Sequence, residues 1–236
     1  AAPAAAAAAY MMGAAYVLTG SVNQACVESG SSDLVRQMLA EAAQADTAMA
    51  PAADMFEMGV KVQILKRGTM FAMRAQKLYD LYKTYDSLDA IPPPQRAALE
   101  RDLFRLPLAQ VWQQTSEFWK GRDLREAEKA RVDPKHKMAL CFRSYLGQAS
   151  RWANAGVPDR KVDYQVWCGP AMGAFNEWTK GTFLAEAKAR KVALVARNIM
   201  AGAAHITQAY FDRLQGQPEG PAFTPKTDEQ LGEYFA

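Results

Sequence analysis

Histidine and cysteine are scarce in this chain. Two histidines, His136 and His205, cannot supply the ligands of an all-protein zinc or iron site, so no metal is implied. Three cysteines, Cys26, Cys141 and Cys168, are odd in number and far apart. They form neither a disulfide framework nor a zinc pattern, which favours a reducing, cytoplasmic setting. Charge of one sign is also lacking. Twenty-eight basic residues stand against 25 acidic ones, and a net charge of +3 excludes the strong basic bias of a nucleic-acid binder. Residues 1–18 carry no charge, yet they are mostly alanine, contain Pro3 and Gly13, and have no basic flank. Neither a membrane span nor a signal peptide is expected from them. Opening without methionine inside an alanine-rich helix, the sequence reads as cut from something longer.

What is present is ample apolar material. Half of the 236 residues are apolar and 22% are charged, an ordinary balance for a packed core. Opposite charges alternate at residues 122–129, as on a solvated helix face with pairs three and four apart. Residues 4–12 predict a helix, residues 15–18 a strand and residues 32–43 a second helix with Leu34, Val35, Met38, Leu39 and Ala42 on one face. A lone strand cannot satisfy its own backbone, so the rest of a barrel is expected upstream. The strand stops at Gly20-Ser21, and a turn-rich stretch leads to Ser31-Ser32-Asp33 at the next helix. A glycine at the end of a buried strand frees N–H groups to approach an anion, and a helix N-terminus adds donors. Phosphate sites recur at such places in (β/α)8 barrels. Thr19-Gly20-Ser21 also fits a plain turn.

Residues 44–68 leave helix and strand open: Ala50-Pro51 breaks a helix, and residues 60–65 alternate like a strand. From Gly68-Thr69 onward the pattern is almost wholly helical. Proline is well placed to start a helix at 92–94. A short apolar stripe runs over Leu99, Leu103 and Leu106, another over Leu108, Val111, Trp112, Thr115, Phe118 and Trp119. The longest runs from Met138 to Trp152 before Asn154-Ala155-Gly156 ends it. Residues 162–167 read as a second strand, residues 185–215 as the last long helix, and residues 216–227 as a Pro- and Gly-rich linker or frayed tail.

Six collinear segments carry a resemblance: Thr19-Gly20-Ser21-Val22-Asn23-Gln24, residues 50–57, residues 61–68, Arg74-Ala75-Gln76-Lys77-Leu78-Tyr79, residues 133–140 and residues 163–176. Together they resemble the PfaD-type, trans-acting enoyl reductases of polyketide and polyunsaturated-fatty-acid synthases, relatives of nitronate monooxygenases. The resemblance runs from about residue 10 to residue 210. It implies a chain that is mainly α, holding the last strand and helix of an FMN-binding (β/α)8 TIM barrel in residues 1–45. A helical substrate- and carrier-binding region would follow in 46–215 and a linker or tail in 216–236. The implied activity is NADPH-dependent reduction of enoyl thioesters on an acyl carrier protein, with a linked acyltransferase domain as a further partner and no nucleic acid or membrane. Gly20 and Ser21 would bind the FMN phosphate, with Asn23 or Gln24 nearby. Most flavin-ring and proton-donor residues would lie outside this sequence, leaving the segment inactive by itself. Two other readings stay open: a nitronate-type flavin oxidase, and a non-catalytic helical docking module for a carrier protein or acyltransferase.

Several residues invite competing readings. Cys168, before Gly169-Pro170, stands where a nucleophile could sit, but neither histidine is near it in sequence, and a packed, inert thiol is the plainer expectation. His136 between Lys135 and Lys137 reads as a solvent-facing helix start. With Arg143 and Arg151 that patch could meet a carrier's acidic surface or simply be solvated. Trp167, Met172, Phe175 and Trp178 are either packing or the wall of an acyl channel. Gly169 and Gly173 would let backbone approach substrate or flavin.

Overall fold

Local chemistry sets most helix ends. The Ser32 hydroxyl accepts from the Val35 N–H, and the Asp133 carboxylate accepts from the His136 N–H at 3.0 Å ahead of Pro134. Gly156, at φ 66°, then closes the long helix in the left-handed conformation that glycine adopts without strain. The structure, a computed structural model, describes residues 2–218 and 220–234. In chain order it has α1 (Pro3–Met11), α2 (Ser21–Gln24), α3 (Asp33–Ala40), β1 (Thr47–Pro51), β2 (Lys61–Leu65), α4 (Phe71–Thr84), α5 (Pro93–Ala98), α6 (Leu108–Arg122), α7 (Leu124–Val132), α8 (Pro134–Ala155), α9 (Ala171–Thr179), α10 (Val192–Leu214) and α11 (Asp228–Tyr234). Among the described residues no helix is long and apolar enough to cross a membrane.

The chain divides into a middle unit, Ala48–Trp167, and a terminal unit built from Ala1–Thr47 and Cys168–Ala236. That division differs from the expected 1–45, 46–215 and 216–236, because the last third of the chain returns to pack with the first residues. In the middle unit, β1 and β2 form a two-stranded sheet whose ends are tied by the Ala52 N–H donating to Val60 O at 2.8 Å. Phe56, in the loop between them, is fully buried against Tyr79, Tyr82 and Phe142. Leu78, Ile91, Leu99, Val111, Phe142, Tyr145 and Leu146 complete one core from α4 to α8. Each such side chain contributes about 1.5–3 kcal/mol when fully buried. A buried carboxylate, Asp163, accepts from Tyr145 Oη at 2.7 Å and from Arg160 at 3.1 Å, and pairs with Arg74.

In the terminal unit α1 packs on α10, and the fit is close: a Cβ on Gly202 would stand 2.7 Å from Pro3 Cγ. Asn198 of α10 donates to Lys226 O at 2.8 Å and accepts from the Lys226 N–H at 2.6 Å. His205 Nε2 lies 3.0 Å from Pro221 O, Leu231 is fully buried, and Arg197 pairs with Asp228 at 2.9 Å. The segment expected to be a frayed tail is therefore pinned to α10, since one amide satisfies both backbone groups of Lys226. Glu219 and residues 235–236 of that expected tail lie outside the described residues, as does Ala1.

Four other expectations are corrected. Residues 15–18 form no strand: with no neighbouring strand among the described residues, Tyr16 and Leu18 are left 71% and 88% exposed. Residues 162–167 are not a strand either, because Pro158–Asp163 winds into a 3-10 turn and leaves only an antiparallel bridge from Trp167 to Ile64. The stretch Leu99–Phe104 is π-helical rather than α-helical, and Arg105 at φ 56° ends it. The last long helix starts at Val192, after 3-10 turns at Phe183–Ala185 and Ala187–Ala189.

Candidate functional site

The turn at Gly20 leads into α2, and its side chains are largely committed to the turn itself. Asn23 Nδ2 donates to Thr19 O at 2.9 Å, and the Thr19 hydroxyl donates to Asn23 Oδ1 at 3.0 Å. The Ser21 hydroxyl accepts from the Gly169 N–H at 2.9 Å, which joins two segments 148 residues apart. The backbone is different. The N–H groups of Gly20, Ser21 and Val22 have no acceptor among the described residues, as the first turn of a helix requires. A Cβ on Gly20 would meet nothing within 4 Å, so its Cα faces open space. Backbone donors with no protein acceptor, the first of them beside open space, are what an anion such as a phosphate requires. Asn23 does not reach out to it, and the depression beside Asn23 and Gln24 also holds Glu28, whose carboxylate accepts from the Val192 N–H at 3.0 Å and would repel an anion.

Residues placed on the acyl channel by sequence scatter. Met172 and Phe175 are fully buried in the terminal unit, and Phe175 packs edge-on against Trp178 at 5.6 Å. Core packing accounts for their apolar character. Trp178 Nε1 lies 3.5 Å from Phe223 O, over the pinned segment. A Cβ on Gly173 would fall 2.0 Å from Gln44 N, so that glycine admits protein backbone rather than substrate or flavin. Trp167, 45% exposed, belongs to the middle unit and donates weakly to Ser150. Of the predicted site residues, the structure brings Ser21 against Gly169 and Phe175 against Trp178.

Thiol chemistry has no support. Cys168 is 3% exposed, and burial, then Asp46, pushes its thiol up to about 11. Burial likewise holds Cys26 at about 11 and Cys141 at about 12. All three are protonated at neutral pH.

The expected solvent face at residues 135–137 is also corrected. His136 is 3% exposed, with Nδ1 at 3.0 Å from Glu57 and Nε2 at 2.9 Å from Glu126, the latter out of line for a hydrogen bond. Lys135 donates to Tyr82 O and to Tyr85 O, the open carbonyls at the end of α4. Lys137 lies over the Trp112 ring at 5.1 Å. Each cation is absorbed by the fold.

A cavity of about 420 Å³ in the middle unit was not visible in the sequence. Phe104, Leu106, Val111, Phe118, Trp119 and Trp152 wall it between α6 and α8. Four guanidinium groups line it against one carboxylate, Asp54. Two are pinned: Arg143 donates to Ala53 O at 2.8 Å, and Arg160 donates to Leu103 O and Phe104 O while stacking 4.2 Å above Trp152. The others, Arg122 and Arg151, each lie 5.8 Å from the Phe118 ring and have no carboxylate partner among the described residues. The alternating aromatic and arginine positions of two helices were present in the sequence. That the helices face each other was not.

Residues 85–164, which include most of this cavity's walls, match the family described as the inserted helical domain of acyl-carrier-protein S-malonyltransferase. One polyunsaturated fatty acid synthase protein of Thraustochytrium is 56% identical over 184 residues, 77% of this chain and 12% of that protein. Polyketide biosynthesis protein PksE of Bacillus subtilis is 44% identical over 198 residues, 84% of this chain and 25% of that protein. The relatives are synthase and polyketide proteins. Among solved structures, the enoyl reductase domain of MlnA, from the macrolactin biosynthesis cluster of Bacillus amyloliquefaciens, matches with a TM-score of 0.85. It is 38% identical, and the match covers 90% of this chain and 47% of that one. The chain spans a quarter or less of the length of these two curated relatives.

Proposed function

We propose that this chain is the C-terminal part of a PfaD-type enoyl reductase that serves polyketide or polyunsaturated-fatty-acid synthesis. It would supply the phosphate-binding turn and following helix at the end of a (β/α)8 barrel and a helical region for substrate. The observation that carries this reading is the match, over nine-tenths of the chain, to a solved enoyl reductase domain. The flavin, when bound, would supply hydride transfer from NADPH to the β-carbon of an enoyl thioester. The chain's own part is to hold and orient. The N–H groups of Gly20, Ser21 and Val22 would donate to the FMN phosphate, and the Ser21–Gly169 hydrogen bond would fix the turn that aims them. The partner is an acyl carrier protein that delivers the enoyl chain, with an acyltransferase domain as a second, linked neighbour. The malonyltransferase-insert match favours one other reading, a non-catalytic docking module for a carrier protein.

The test uses the whole protein that carries this chain. Bound flavin is read by its visible absorbance, and NADPH oxidation is followed with a crotonyl group on a carrier protein. Co-purifying FMN and carrier-dependent NADPH oxidation are expected. Carrier binding with neither flavin nor NADPH oxidation would replace the reductase with the docking module. Gly20→Val keeps its N–H but places a branched side chain in the open space beside it, and should lower FMN affinity about tenfold or more by crowding the phosphate away from the donors.

A further inference from the structure

The cavity between α6 and α8 shares Phe104, Val111 and Tyr145 with the core of the middle unit, and beyond them it has the size and lining of a binding site. Its volume of about 420 Å³ falls within the ~300–1,000 Å³ typical of small-molecule pockets. One wall is aromatic and aliphatic, and Arg143 and Arg160 hold it: the first lies 5.4 Å from Trp119, the second stacks on Trp152, and both are anchored to backbone carbonyls. These two arginines are structural. Arg122 and Arg151 are different in kind. Both are exposed, both flank the single ring of Phe118, itself 44% exposed, and neither meets a carboxylate among the described residues. A pair of unneutralised guanidinium groups beside an apolar pocket is complementary to a molecule that is an anion at one end and a hydrocarbon at the other. Guanidinium groups bind phosphate through paired N–H donors, and an exposed aromatic face between them keeps both in place.

We propose that this cavity binds an acyl thioester on a phosphorylated pantetheine arm, with the acyl chain along Phe104, Trp119 and Trp152 and the phosphate between Arg122 and Arg151. The phosphate-headed amphiphile follows from the charge and shape of the cavity. The choice of a thioester rests on the reductase reading above. Two sources carry the same arm, a carrier protein and coenzyme A.

Calorimetric titration of the chain, with no flavin or NADPH present, tests this. The probes are octanoyl-coenzyme A, octanoyl-pantetheine without phosphate, and an octanoyl carrier protein. Saturable binding of octanoyl-coenzyme A is expected, with octanoyl-pantetheine weaker by about tenfold or more, the loss of two or so charge-assisted contacts. The double variant Arg122→Gln/Arg151→Gln, which gives up only the two exposed contacts with the Phe118 ring, should erase the difference between those two probes. Absence of saturable binding, equal affinity for the two probes in the unaltered chain, or a difference that survives in the double variant would overturn the proposal. Carrier binding that the double variant weakens names the carrier as the source. Coenzyme A binding without carrier binding names the free thioester, and both results uphold the site. Because the titration involves no redox step, a failure here leaves the reductase reading standing, and loss of NADPH oxidation leaves this site standing.

Discussion

Asp163 in the middle unit and Gly173 in the terminal unit are both buried, and they hold their surroundings by opposite means. Around Asp163 the middle unit gathers charge: Arg74, Arg160 and Tyr145 bond to one carboxylate, and Arg105 lies 3.7 Å away. Large side chains fill the rest. Around Gly173 the terminal unit removes side chains, so that α9 meets the backbone at Ala43 and Gln44, and at Gly202 the missing side chain of α10 leaves room for the Pro3 ring of α1. Alanines of α1 supply much of the remaining surface: Ala6 and Ala7 are each 2% exposed. One unit is specified by a buried ion cluster inside a bulky core, the other by close backbone approach. Changes of charge should therefore harm the first most, and added volume the second.

Asp163→Ala should have the largest effect. Removing one partner of a buried ion pair costs about 3–5 kcal/mol, because the guanidinium groups stay desolvated without a counter-charge. A large fall in the thermal midpoint is expected, read by circular dichroism. Near-unchanged stability would mean the cluster is decorative, and the contrast between units would fail. Gly173→Ala comes next and carries a reversed sign. In an open helix the change would stabilise by roughly 0.5–1 kcal/mol. Here the new Cβ would fall 2.0 Å from Gln44 N, so a net loss of ~1–3 kcal/mol is expected. Asn198→Ala should follow at roughly 1–3 kcal/mol, since it removes two hydrogen bonds between a fully buried amide and the part-buried backbone of Lys226. Hydrogen exchange would show the loss concentrated in residues 220–231, and a uniform rise in exchange would argue against a local pin.

Helical periodicity made most of this fold legible. The stripe from Met138 to Trp152 is the inward face of α8, and Gly156 ends it where the residue type puts a helix stop. Strands were poorly legible for a physical reason. Thr47–Pro51 has the composition of a helix, and only its pairing with Lys61–Leu65 makes it β. Residues 15–18 have the composition of a strand and no strand to pair with among the described residues. The site was legible only in part. Gly20 with its following turn keeps free donors, but residues 172–178 owe their aromatic pattern to the core, and the arginine-lined cavity depends on two helices coming face to face, which no single stretch of sequence encodes.

The smallest effect concerns pH and separates the units by their thiols. Burial raises Cys26 and Cys168 from about 9 to about 11 in the terminal unit, and Cys141 to about 12 in the middle unit. The neutral thiol is the form the fold keeps. Below about pH 9 both folded and unfolded chains hold these protons, and their contribution is fully present. As pH rises beyond 9, the unfolded chain releases them first, so stability falls until the folded thiols ionise in turn. For Cys26 and Cys168 that decline should level off near pH 11, and for Cys141 about one pH unit later. Urea midpoints measured from pH 8 to 12 should fall more steeply for the natural chain than for a Cys26→Ala/Cys141→Ala/Cys168→Ala variant, which carries the same lysine and tyrosine titrations without the thiols. Parallel curves would mean that the thiols reach water in the folded chain. Restoring Cys141 alone should return the later part of the decline, which assigns it to the bulky core rather than to the closely approached backbones.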